Sequence, residues 1–189
     1  DIRQVEQSQD LYRSYEENVV PVKRLLDLWI GQSFGNKDAT QLIKLYSGSR
    51  KEVADLVEAL MGTRTLDTKS QAVVEQSRAL FAQHRFIHWD LEFPEVFIDL
   101  QKKAWKPTEE AGFDAVIGNP PYDVLEKDEF SERSENLNQS TTFFERSGLY
   151  DIALSGKVNI FRLFVALYPR ITCVTGRHGY IVPTSLITD

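Results

Sequence analysis

A single cysteine, Cys173, stands in the 189 residues of the chain. That excludes an intramolecular disulfide and fits a reducing compartment, so a cytoplasmic location is the expectation. No apolar run approaches the roughly 20 residues of a membrane span. No basic segment followed by an apolar one opens the chain, which leaves secretion unsupported. Internal repeats and low-complexity tracts are absent. Basic residues are in the minority, 22 against 28 acidic ones for a net charge of −6, which argues against a grip on nucleic acid through overall charge. His88, Asp90, Glu92 and Glu95 lie close together, but their spacing matches no metal signature, and no metal is expected. The chain opens on Asp1 and closes on Asp189 just past an apparent helix start. Both ends look cut, as in a piece excised from a longer protein.

What is present suffices for a core: 42% of the residues are hydrophobic, in one domain's worth of chain. Residues 1–85 read as a helical segment. Leu11, Tyr15 and Val19 recur every four residues, and Pro21 should break or restart that helix. Val22, Leu25, Leu26, Leu28 and Trp29 then form an apolar face, with Trp29 as a packing anchor, and Gly31 and Gly35 stop it. A short helix follows over Ala39 to Tyr46. Another starts at Ser49, with Glu52 completing a capping box, and runs to Gly62. A fourth covers Asp67 to His84, with Val73, Val74, Ala79, Leu80 and Phe81 as its apolar residues.

Residues 86–189 alternate. Phe113 to Ile117 reads as a buried strand. The polar stretch from Tyr122 to about Tyr150 reads as a long loop, with a short helix around Leu125 to Phe130. Asn159 to Ile171 reads as a helix with Pro169 bending its last turn. Gly179 to Val182 reads as a strand that Pro183 ends. Strand, helix and strand in that order imply neighbouring parallel strands. Beyond Ile152 the only charged residues before the last are Lys157, Arg162, Arg170 and Arg177, a solvated face or a phosphate-facing one.

The chemistry concentrates at Asn119-Pro120-Pro121-Tyr122, directly after Gly118 at the end of the apolar strand. Two consecutive prolines fix two φ angles and remove two backbone donors while leaving carbonyls that accept. Asn119 adds a side-chain carbonyl, and Tyr122 adds a flat aromatic face. In open α/β sheets ligands bind at the carboxyl ends of strands. A stiff acceptor cluster beside a stacking platform suits an exocyclic amino group on a flat ring.

The stretch Phe113 to Tyr122 resembles the catalytic motif of the N6-adenine DNA methyltransferases. The upstream segment Phe86 to Phe97 is similar to the one preceding the catalytic strand in large single-chain type IIG restriction-modification methylases and related phage-defence methylases. Gly156 to Phe164 and Gly179 to Leu186 resemble that family's next helix, strand and turn. The likeness is strong from Phe86 to Asp189 and weaker before it. It implies an α/β fold: part of a Rossmann-like S-adenosylmethionine-dependent methyltransferase domain (86–189) preceded by the helical segment (1–85).

The resemblance also implies roles. The enzyme would act on an adenine flipped out of double-stranded DNA. Tyr122 would stack on the base. Asn119 Oδ1 and the Pro120 carbonyl would accept the two N6 protons, and Pro121 would hold the turn rigid. The nitrogen would attack the methyl of S-adenosylmethionine directly, so Cys173 is not needed as a nucleophile. The family's glycine-rich cofactor turn is missing, because Gly31 to Gly35 follows a helical pattern. The cofactor-binding residues are therefore unassigned, their main loop is expected outside this piece, and the piece alone should bind the cofactor weakly and be inactive. DNA contacts are expected through the full-length protein. Two alternatives stand beside this reading. Release-factor glutamine methylases use the same turn on a side-chain amide, and a non-catalytic structural module would carry it as a relic.

Overall fold

The structure is a computed structural model and describes residues 2–125, 132–156 and 158–184. It mixes helices with small sheets and is compatible with the α/β class. The chain divides into two compact units, Asp1–Leu91 and Glu92–Asp189.

The first unit is helical: α1 (Ile2–Gly31), α2 (Ala39–Leu45), α3 (Arg50–Met61) and α4 (Thr68–Gln83). A one-turn helix, α5 (Trp89–Glu92), closes it. Helix α1 runs unbroken through Pro21, contrary to expectation. A proline removes one intrahelical donor, and the long helix on either side absorbs that single loss. Its end is closed by a 3-10 turn over Gln32–Phe34. Ser49 caps α3 by accepting from the Glu52 N–H at 3.2 Å, and the Asp67 carboxylate caps α4 by accepting from the N–H groups of Lys69 and Ser70.

Leu28, Ala39, Leu42, Leu56, Ala59, Leu60, Val73 and Val74 make the core of this unit. Only part of the expected α1 face is inside. Leu28 is fully buried, but Trp29 is 56% exposed, and Val22 and Leu26 are exposed too. Trp29 is therefore no packing anchor. On α4 the buried stripe is Ser70, Val73, Val74, Ser77 and Leu80. Ala79 lies outside it, because the stripe follows the 3.6-residue period through two serines that hydrophobicity alone passes over. Ser77 is buried because it has work: Asn36, itself fully buried, donates from Nδ2 to Ser77 Oγ at 2.6 Å and to the Val73 carbonyl at 3.1 Å. These bonds offset the cost of burying polar groups.

The second unit opens with α6 (Pro94–Phe97) and a two-residue hairpin of β1 (Ile98–Asp99) and β2 (Ala104–Trp105). Strand β3 (Phe113–Gly118), α7 (Glu132–Ser147), α8 (Ile160–Ile171) and β4 (Thr172–Tyr180) follow. Strands β3 and β4 pair in parallel, with Ala115 opposite Arg177 and Gly118 opposite Tyr180. Gly112 makes the entry to β3 possible. Its φ is +125°, and a Cβ there would lie 2.4 Å from the Cys173 nitrogen. Ala153, Leu163 and Ala166 form a small core with Leu125, Phe144, Tyr150, Leu154 and Val158 packed on it.

Three expectations for this unit need correction. Residues 132–147 are a helix, not a loop: the stretch is largely polar, and Phe144 near its end packs on the small core. The short helix placed near Leu125 to Phe130 falls mostly outside the described residues. Strand β4 begins at Thr172, straight out of α8, and ends at Tyr180, so Ile181 and Val182 lie beyond it. Helix α8 does end at Ile171 with Pro169 inside its last turn, as expected. Finally β3 is not buried. Ile117 is 85% exposed, because among the described residues the strand has one partner and no layer over that side chain.

Candidate active site

The Asn-Pro-Pro-Tyr turn leaves the carboxyl end of β3, next to the carboxyl end of β4. Gly118 is opposite Tyr180, and the Ile181 N–H donates to the Gly118 carbonyl at 3.1 Å, so the pairing continues one residue beyond β4. A Cβ on Gly118 would sit 3.1 Å from the Tyr180 ring. Glycine here lets the aromatic lie flat against the strand just before the turn. Burial, and then the nearby Tyr168, push the Tyr180 phenol above its ordinary pKa.

Of the four predicted site residues, Pro120 is buried, whereas Asn119, Pro121 and Tyr122 are exposed. Pro120 thus seats the turn, and Asn119 and Tyr122 present their functional atoms to solvent. The two are joined: the Tyr122 hydroxyl donates to Asn119 Oδ1 at 2.8 Å. The same hydroxyl lies 3.2 Å from the Ile181 carbonyl. The turn is also anchored downstream. Val124 bridges Asn159, the Leu125 N–H donates to the Val158 carbonyl at 2.8 Å, and the Ile160 N–H donates to the Asp123 carbonyl at 2.9 Å. The first residue of α8 is therefore tied to the residue after Tyr122.

The sequence reading missed Ile181 and Tyr180 as parts of this site. The signal lies in the pairing of the two strands and not in either segment alone. Two parallel strands ending at Gly118 and near Tyr180 place the residues that follow side by side.

The other candidates disperse. His88 has a partner in its own unit. Its Nε2 is hydrogen-bonded to Oδ1 of the buried Asp27 at 2.7 Å, and Arg24 holds Oδ2 of the same carboxylate at 3.0 Å. Arg24 in turn lies over the Phe81 ring, 5.1 Å from its centroid. This is a structural clasp of the helical unit. Among the described residues no three His, Cys, Asp or Glu side chains converge as a metal ion would need. His84 packs between Phe34 and Phe86, and His178 packs on Tyr168. Of the four basic residues after Ile152, Lys157 lies outside the described residues. Arg162 and Arg177 are tied to main-chain carbonyls of their own segments, and Arg170 is exposed. Gly31 to Gly35 is the C-terminal closure of α1, not a strand-to-helix turn that could cradle a cofactor.

The comparisons with known proteins bear on the chain as a whole. The family model of the Eco57I restriction-modification methylase matches residues 27–189. The chain belongs to that family. The match begins inside α1, so it takes in helices α2 to α4 as well as the strand and turn. No curated protein and no solved structure matches the chain. Membership makes this a DNA methyltransferase chain of the restriction-modification kind, with DNA as its substrate. Among the described residues no helix is long and apolar enough to cross a membrane.

Proposed function

We propose that this methylase acts on N6 of adenine in DNA and that Asn119, Pro120 and Tyr122 form the base-side half of its active site. The observation that carries the reading is the placement of the Asn119 side-chain carbonyl beside the Tyr122 ring, both exposed, at the carboxyl end of a parallel strand. An exocyclic amino group needs two acceptors. Asn119 Oδ1 and the Pro120 carbonyl hold its two protons, and the buried Pro120 ring keeps that carbonyl in place. Tyr122 offers its face to the purine, which must leave the duplex stack to be reached. Holding both protons restricts rotation about the C6–N6 bond and directs the nitrogen lone pair out of the ring plane. The rate gain at this half-site is one of positioning and electrostatics.

S-adenosylmethionine, the donor this family typically uses, supplies the methyl group as an electrophile. The described residues fit the base side of such a reaction. They include no glycine-rich turn between a strand and a helix to hold the donor. We therefore assign no cofactor-binding residue, and we infer that the 189-residue chain by itself binds the donor weakly.

The test is Asn119→Ala in the natural-length protein. N6-methyladenine formation should fall at least about 100-fold, the usual cost of removing one preorganised polar group from such a site, while the melting temperature stays unchanged. Undiminished methylation would remove Asn119 from the mechanism.

A further inference from the structure

We propose that the hydroxyl of Tyr122 is a positioning group, passed between Asn119 Oδ1 in the empty site and the Ile181 main-chain carbonyl when the base is bound. The proposal rests on the reading of the turn as an adenine site. The hydroxyl has one proton and two acceptors in reach, Asn119 Oδ1 at 2.8 Å and the Ile181 carbonyl at 3.2 Å. The shorter bond falls on the oxygen that an N6 proton must use. In the empty site the phenol thus stands in for the substrate amino group and holds the Asn119 amide with its oxygen presented.

An arriving amino group competes for that oxygen. The phenol then has a second acceptor at hand and need not lose its hydrogen bond. Both acceptors are carbonyl oxygens on the exposed side of the turn, so exchanging one for the other costs little. The exchange leaves the ring tethered to the residue that follows β4. Ile181 itself is fixed by its N–H bond to the Gly118 carbonyl. The stacking ring, the amide and the ends of both strands are therefore referenced to one another through a single hydroxyl.

The exchange predicts a division between kcat and KM. Tyr122→Phe keeps the ring and removes the proton. One hydrogen bond is lost from the free state and one from the bound state, so the KM for DNA should change less than about two-fold, while kcat falls about five-fold, the worth of one ordinary hydrogen bond to the orientation of ring and amide. The decisive variant places at position 122 a fluorinated tyrosine whose phenol ionises near neutrality. The protonated phenol donates; the phenolate cannot, and it repels both carbonyls. The rate of N6-methyladenine formation should fall as pH rises through that ionisation, and the protein with the natural tyrosine is the control for any other pH dependence.

Both assays use the natural-length protein and unmethylated DNA. A coincident pH profile for the two tyrosines, or an unchanged kcat in Tyr122→Phe, overturns the hydroxyl's role while leaving the adenine reading intact. Failure of the unmodified protein to make any N6-methyladenine overturns both.

Discussion

In the function proposed for it, Asn119 acts through one oxygen. Asn119→Asp keeps an acceptor at that place and Asn119→Ala does not, so the aspartate variant should retain at least about ten times the alanine variant's methylation rate, one charge-assisted hydrogen bond being worth more than a factor of ten. Equal rates would mean that the oxygen is not used. Tyr122→Ala removes ring and hydroxyl together. Base stacking is worth about 1–3 kcal/mol, so its loss should exceed that of Tyr122→Phe, read as the rate at saturating DNA. Much of this site was legible in the sequence, because two prolines and an asparagine after an apolar run leave the backbone few options. The role of Ile181 was not. The proposed role falls to a main-chain carbonyl, which any residue carries, and its place depends on the register of two strands whose paired residues lie 59 to 62 apart in the chain.

At the scale of elements, caps and close approaches decide the local stability. The Asp67 carboxyl at the start of α4 is held below its ordinary pKa by hydrogen bonds from Ser70, first its side chain and then its N–H. A depressed carboxyl contributes stability that is present above the ordinary value of about 3.9 and is lost as pH falls through the folded-state value. The difference in melting temperature between the natural protein and Asp67→Asn should therefore shrink as pH drops below about 4. A gap that stays constant with pH would deny the carboxylate its capping role. Gly112→Ala forces a side chain into the left-handed region and against the backbone of Thr172 and Cys173, and should cost at least about 2 kcal/mol in urea unfolding. The helical pattern was readable wherever caps and period agreed, as in α3 and α4. It misled at Pro21, which sits inside a long helix, and over 132–147, where polar composition hid a helix whose Phe144 packs on the small core.

At the scale of the whole molecule the apolar surface is not fully covered. Ile117 is 85%, Val174 72% and Ile181 65% exposed on and just beyond the two-stranded sheet. A sheet of two strands with such side chains in water is prone to associate. Sedimentation of the 189-residue chain should show concentration-dependent self-association, reduced by Val174→Lys; a concentration-independent monomer would contradict this. The sequence pointed to a strand-helix-strand unit, and the parallel pairing of β3 with β4 is that unit. The run Phe113 to Ile117 does not by itself tell that Ile117 stands exposed, since an apolar run reads the same whether or not another layer covers it.

The central claim is that this methylase modifies adenine N6 in DNA. The most direct test incubates the natural-length protein with S-adenosylmethionine labelled in its methyl group, unmethylated DNA and a bacterial protein extract as competing substrate. The account predicts label in N6-methyladenine and none in the extract. Label found only in protein, as a glutamine methylase would place it, would contradict the account.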